Sequence, residues 1–308
     1  MATPLLRLGT RGSKLALIQA GLVRDALAAS VPALGAPNAI EIVAIRTTGD
    51  RIQDRPLSEA GGKGLFVKEI EEALLERRID AAAHSMKDMP TLQPSGLAVV
   101  ACLPREDARD VLIAGKVQRI ADLGRGAIVG TSALRRGAQL LHRRPDLQIV
   151  NLRGNVDTRL AKREAGVVEA TLLALAGLKR LGMAHVGTPV PEEEILPAVG
   201  QGAVCIECRA EDAKTRAWLA AIDHKPTAIC VATEHAMLAV LDGSCRTPIA
   251  GHAVLSGDSL HLRALIVKPD GSELLATERQ GLAKDAEAMG RDAGLELKRR
   301  GGPGFLST

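Results

Sequence analysis

Apolar residues along the chain fall into two recurring patterns. Short apolar runs at 5–8, 40–45, 81–83 and 97–103 read as strands. Between them the apolar positions recur at helical spacing. Leu15, Ile18, Leu22 and Leu27 follow Ser13, a residue suited to cap a helix. Phe66, Val67, Ile70, Ala73 and Leu74 mark a second helix, predicted over 65–78. The pattern then restarts, with strands at 111–114, 127–129, 147–150 and 170–175. Helices at 132–142, at 156–165 and around Leu178 alternate with them. This alternation predicts two α/β units with open, parallel-rich sheets. Past Lys225 the character changes. A helix over 227–241 is followed by two strands, 249–255 and 260–267, paired around Gly257-Asp258, and by a closing helix over 283–299. That is a smaller α+β unit. No repeat of fixed period and no low-complexity tract interrupts the chain.

Composition narrows the chemistry. At 308 residues the chain suits two or three domains. Its core must be aliphatic, because Phe66, Phe305 and Trp218 are its only aromatics besides histidine. That scarcity argues against a platform for stacking single-stranded nucleic acid. Lys+Arg (40) and Asp+Glu (36) nearly balance at a net charge of +4, so a polyanion is not demanded, and a local basic pocket for a small acidic ligand stays open. Five cysteines at irregular spacing make no disulfide framework and fit a reducing compartment. No apolar run has the length of a membrane span, and residues 1–7 lack the plan of a signal peptide. The expectation is a cytoplasmic protein.

Five segments carry candidate chemistry. Gly9-Thr10-Arg11-Gly12-Ser13 lies at a strand-to-helix junction and is either a capped turn or an anion site with Arg11 as its fork. Gly61-Gly62-Lys63-Gly64 lacks the order of a nucleotide phosphate loop, yet it can offer Lys63 and Lys68 to an anion; a solvated helix face is the equal alternative for Lys68. Asp88, in His84-Ser85-Met86-Lys87-Asp88-Met89-Pro90, follows a strand end, where open α/β sheets place ligands. It is either a proton-exchanging carboxylate or the head of an Asx turn. Arg135, Arg136, Arg153, Arg159 and Arg180 arise near strand ends of one unit, and together they suit a ligand bearing several carboxylates. Cys245, beside Arg246 in a Gly/Ser loop, is either an activated thiol or an inert small residue. Cys205 and Cys208 have CxxC spacing but sit in an alternating apolar segment and read as strand residues, not as zinc ligands or a redox pair. No metal site is expected.

Taken in order, these segments resemble the porphobilinogen deaminases, also called hydroxymethylbilane synthases. The likeness runs from Arg7 to about Arg300, strongest at 61–69, 84–90, 130–136, 152–160, 196–209 (LPAVGQGAVCIECR) and 242–248. It implies two periplasmic-binding-protein-like α/β domains with a smaller C-terminal α+β domain. The first would span 1–102 plus 200–221, the second 103–199 and the third 222–308, with the active site in the cleft between the first two. It implies a monomeric transferase that deaminates four porphobilinogen molecules and joins them head to tail into hydroxymethylbilane. The growing chain is carried on a dipyrromethane cofactor held through a thioether, here to Cys245. Asp88 matches the catalytic aspartate, which would protonate the leaving amine, stabilise the pyrrole cation and take up a proton afterwards. Cofactor-binding positions are Ser13, Asp50, Lys87, Ser132, Arg135, Arg136 and Arg153. Substrate-binding positions are Arg11, Ser13, Lys63, Phe66, Arg153, Arg159, Arg180 and Gln201. The chain departs from the family pattern at Ala133, where serine is usual, and at Asp157 and Ser244, where glycine is common. The rival is a non-catalytic two-lobed protein that binds an anionic metabolite; it explains the arginines but leaves Cys245 and the third domain without a role.

Overall fold

The computed structural model describes residues 4–51, 64–243 and 247–306, without the side chains of Asp50 and Arg51. Lys63 and Cys245 therefore lie outside the described residues, and so does the side chain of Asp50. In chain order the elements are β1 (Leu6–Arg11), α1 (Lys14–Ser30), β2 (Ile40–Ile45), α2 (Thr48–Arg51), α3 (Lys68–Leu75), β3 (Ala81–Ser85), β4 (Leu97–Cys102) and β5 (Asp110–Ile113). There follow β6 (Ile128–Gly130), α4 (Leu134–Arg143), β7 (Gln148–Val150), α5 (Val156–Glu164), β8 (Ala170–Ala174), α6 (Leu175–Arg180) and β9 (Thr188–Pro189). The last are β10 (Val204–Arg209), α7 (Ala213–Ala220), α8 (Lys225–Val240), β11 (Ile249–Ser256), β12 (Ser259–Val267), β13 (Leu274–Leu282) and α9 (Ala286–Gly301).

The described residues form two compact units, one over 4–51, 64–106 and 203–228, the other over 107–202, 229–243 and 247–306. In the first, the sheet order is β2-β1-β3-β10-β4. β1 runs parallel to β2 and β3, while β10 runs antiparallel to both its neighbours. In the second, the order is β7-β6-β8-β5-β9, and β5 is the reversed strand. Each sheet thus keeps four strands in one direction and reverses one. The reversed strands are those entered as the chain passes from one unit to the other. A strand reached that way has no βαβ crossover to impose a parallel course.

Each sheet buries both faces. α1 lays Ala20, Val23 and Leu27 on Leu6, Leu8, Ala83 and Ile206, and α3 covers the opposite face with Ile70, Ala73 and Leu74. The helix predicted over 65–78 is shorter than expected: Arg77 takes a left-handed φ of 58° just past its end. The C-terminal sheet has three antiparallel strands, β11-β12-β13, rather than the expected pair. β13 escaped the apolar pattern because Thr277 is its one buried residue, and its Arg279 reaches across to Asp292 and Glu296 of α9. Gly290 and Gly294 let α9 meet α8 backbone to backbone: a Cβ at Gly290 would lie 2.1 Å from the Thr233 carbonyl oxygen. Ala138, Leu196, Ala250, Leu265 and Val267 join this sheet to the α/β sheet of the same unit.

Candidate active site

In the first unit, the parallel pairing of β1 with β3 brings their C-terminal ends to one edge of the sheet. Arg11 ends β1, and the 3-10 turn Met86–Asp88 follows β3. Arg11 Nη1 stands 3.5 Å from Asp88 Oδ2, with both side chains about a quarter exposed. The Arg11 guanidinium also lies over the Phe66 ring, 4.2 Å from its centroid, a favourable cation–π distance. Phe66 presses on Gly49, where a Cβ would come within 2.4 Å of the ring. Thr48 donates to Glu69 from its backbone and from its hydroxyl, which ties α2 to α3. Asp88 is held by its turn: Met86 donates its N–H to the Ala203 carbonyl at 3.0 Å, and Met89 donates to Met86 at 3.1 Å. The side chains of Ser85 and Gln19 meet at 3.0 Å, fixing the strand end to α1. Lys87 is half-buried beside Asp88. Ser13 accepts the Ala16 N–H at 3.3 Å, so its hydroxyl caps α1. Lys68 is exposed and faces Glu72 at 3.9 Å, the solvated alternative of its two readings.

In the second unit, Asp110 opens β5 and is completely buried. Arg135 and Arg136 each place an Nη2 2.7 Å from its carboxylate, and Gln201 donates to it at 2.9 Å. Burial alone would raise the pKa of Asp110; the two guanidiniums outweigh it and hold the carboxyl well below the usual range. Arg135 also donates to the Leu196 carbonyl, and Arg136 to that of Leu172. The pair predicted to meet ligand carboxylates is therefore first a buried brace between α4 and β5. Arg136 Nε remains buried without a hydrogen-bond partner. The sequence does not single out Asp110; once buried at the start of an apolar strand, its charge requires a cation.

Arg153 and Arg159 come from the loop before α5 and from its first turns. Asn155 caps the helix through Thr158 N–H at 2.8 Å. Arg159 donates from Nε to Gly154 O at 2.9 Å, and its Nη2 lies 3.4 Å from Ser132 Oγ. Burial, then the positive charges of Arg136 and Arg153, push the Arg159 pKa down to about 10. Such surroundings suit carboxylates. Asp157 is exposed in the first turn of α5, and Arg159 turns to Gly154 and Ser132. Ala133 begins α4 without a side-chain cap, and its own N–H is bonded to Thr131 Oγ1 at 3.1 Å. Arg180 donates to the Gly202 carbonyl at 2.7 Å, and Gln201 is 1% exposed.

Cys205 and Cys208 both lie in β10, but three positions apart on a strand they face opposite sides. Burial pushes the Cys208 thiol up to about 11 and the Cys102 thiol up to about 12. Among the described residues no cluster could hold a metal ion, and no helix is long and apolar enough to cross a membrane.

Comparison with known proteins shows the family. Residues 6–217 match the family model described as "Porphobilinogen deaminase, dipyromethane cofactor binding domain", and residues 228–299 match "Porphobilinogen deaminase, C-terminal domain". The chain belongs to the porphobilinogen deaminase family. It is 56% identical to the porphobilinogen deaminase of Paracoccus denitrificans over 98% of this chain and 96% of that one. Against the porphobilinogen deaminase of Nitrobacter hamburgensis the identity is 52%, with the same two coverages. Against the chloroplastic porphobilinogen deaminase of rice it is 50%, over 99% of this chain and 86% of the relative. Among solved structures the chain is similar to the periplasmic aliphatic sulphonate binding protein SsuA from Escherichia coli, at 16% identity and a TM-score of 0.43, covering 77% of this chain and 70% of that one. The fold is two α/β sheet units with a small C-terminal sheet-and-helix element, as the porphobilinogen deaminase resemblance implied.

Proposed function

We propose that Asp88 is the catalytic acid and base of this chain and that its arginines bind the carboxylates of substrate and cofactor. As a porphobilinogen deaminase family member the chain is a transferase of tetrapyrrole biosynthesis. It deaminates four porphobilinogen molecules and joins them head to tail into hydroxymethylbilane, releasing ammonia. The observation that carries the site reading is Asp88 at a parallel strand end, 3.5 Å from Arg11, with Arg11 stacked on Phe66. Porphobilinogen bears acetate, propionate and aminomethyl groups on a pyrrole. Losing ammonia from it needs a proton on the amine and an anion near the ring cation left behind. A carboxylate held by its turn serves both needs and then accepts the proton the ring gives up. Arg11 orients that carboxylate, and Phe66 stacks on the Arg11 guanidinium.

The dipyrromethane cofactor supplies the primer on which the chain grows. The residues present fit it: Arg136 Nε is a buried donor without a partner, and Arg159 stands in cationic surroundings that an acidic oligomer relieves. Arg135, Arg136, Arg153, Lys87, Ser132, Ser13 and Asp50 are assigned to the cofactor, with Cys245 as its covalent anchor. Arg11, Ser13, Lys63, Phe66, Arg153, Arg159, Arg180 and Gln201 are assigned to substrate. The division into domains at 1–102 plus 200–221, 103–199 and 222–308, a monomeric state and a cytoplasmic location belong to the same proposal. The test is incubation with porphobilinogen while ammonia and linear tetrapyrrole are followed, together with the intact mass of the purified chain. Ammonia release and a mass above the sequence by one dipyrromethane, absent in Cys245→Ser, are expected. Binding of porphobilinogen without ammonia release would favour the non-catalytic rival.

A further inference from the structure

β10 pairs with β3 so that Cys205 opposes His84 and Glu207 opposes Ala82. Opposed residues on antiparallel strands share a face. His84, Cys205 and Glu207 therefore point to the side that α3 covers, and α3 adds Glu71. His84 Nε2 lies 3.4 Å from Glu207 Oε2, with side chains 2% and 0% exposed, and Glu71 is buried too. One oxygen of Glu71, both oxygens of Glu207 and His84 Nε2 are buried without a hydrogen-bond partner. Three ionisable side chains so poorly satisfied among Ile70, Ala73 and Ala82 are costly to keep. The sheet does not need them, since its pairing is made by the backbone. The chemistry assigned above does not use them. Their place is suggestive. His84 is the penultimate residue of β3, directly before the turn that carries Asp88. Burial raises the Cys205 thiol's pKa, and the charges of Glu207 and Asp88 both add to that rise.

We propose that Glu71, His84 and Glu207 form one buried polar cluster that supports Asp88 in stabilising the cationic states of the reaction. The proposal rests on Asp88 being the reacting carboxylate. None of the three is placed against substrate; they are positioning residues that act through Asp88. Glu71 is the member that changes. Burial first, then Glu207, against the opposing effect of His84, push its pKa up to about 7. Below that pH Glu71 is neutral, and above it the cluster gains an anion. The charged and titratable groups around the cluster are Glu72 from α3, Cys102 from β4 and Cys205 and Arg209 from β10, with Asp88 after β3 and Arg7 and Arg11 from β1. Arg209 is committed to Asp80 and Asp212, Arg7 to Asp80, and Arg11 to Asp88 and Phe66. An added anion in this apolar setting is weakly screened, so a neighbouring cationic transition state feels it.

The test is the kcat–pH profile of the cofactor-loaded enzyme and of Glu71→Gln, an isostere of the neutral acid. Wild-type kcat is expected to rise about fivefold between pH 6 and pH 8. The variant should match wild type at pH 6, lack the rise, and keep KM within about twofold at both pH values. Parallel profiles, or an effect confined to KM, would overturn the proposal. If the variant does not fold, the His84 ring ¹³Cε1 shift in wild type decides: a step near pH 7 supports the cluster, and a trace without one refutes it. Asp88→Asn measured alongside separates the two readings. If it turns over normally, the role of Asp88 fails. If it is inactive while Glu71→Gln follows wild type, only the cluster fails.

Discussion

Replacing Asp110 by asparagine keeps the shape of the side chain and removes its charge. In the wild-type protein that charge sits 2.7 Å from each of two buried guanidiniums, and Gln201 is attached to the same carboxylate. An amide can still accept one hydrogen bond, but Arg135 and Arg136 would then face each other with no buried anion between them. Removing one partner of a buried ion pair typically costs about 3–5 kcal/mol, mostly because the remaining charge stays buried. We expect Asp110→Asn to lose about 4 kcal/mol at pH 7, a fall in Tm of about 10 °C for a unit of this size. Urea unfolding followed by far-UV circular dichroism measures it, because Trp218 lies in the other unit and does not report on this one. The pH dependence has a definite sign. The folded carboxyl is held below its unfolded value, so its contribution is present above about pH 4 and is lost only as pH falls further. The gap between wild type and variant should stay constant from pH 5 to pH 8 and close in acid. A loss under about 1 kcal/mol, or a gap already closed at pH 6, would refute the brace.

Three further outcomes follow from the same geometry. Arg159→Met should raise the KM for porphobilinogen by about tenfold or more without altering the circular dichroism. An unchanged KM in the variant would remove Arg159 from the binding surface. Glu71, raised when folded from 4.5 to about 7, contributes stability that is lost as pH rises through that range. Glu71→Gln should therefore gain about 3 kcal/mol on wild type between pH 4.5 and pH 8 in chemical denaturation, and a constant difference would contradict the shift. Gly290→Ala should destabilise by about 1–3 kcal/mol, because its Cβ meets backbone and α9 must move off α8; an unchanged Tm would show that the crossing yields freely.

The two α/β units were readable from the sequence because each strand is a short apolar run between helical patterns, and both sheets bury both faces. β13 was not, since polar Thr277 and Arg279 stand among its more buried positions and the strand shows no apolar alternation. Asp88, Arg11 and Phe66 were each singled out from motifs, and the structure brings the three together. Arg135 and Arg136 were read as a pair, but their shared partner Asp110 lies 25 residues earlier, at the start of another strand, and pairing across a sheet leaves no local trace. Glu71, His84 and Glu207 were hidden for the same reason: no two of them are neighbours in the chain, and only the β3–β10 register and the packing of α3 unite them. Cys205 and Cys208 lie in a strand as expected, and strand alternation sends their thiols to opposite faces.

The most direct measurement is the steady-state turnover of Asp88→Asn, purified with its cofactor and checked by intact mass, at saturating porphobilinogen. The amide keeps the size and much of the hydrogen bonding of the carboxylate but neither its charge nor its basicity. Ammonia release is expected to fall about a thousandfold while the mass increment and the fold are retained. Turnover within about threefold of wild type would contradict the central claim that this carboxylate handles the protons and the positive charge of the reaction.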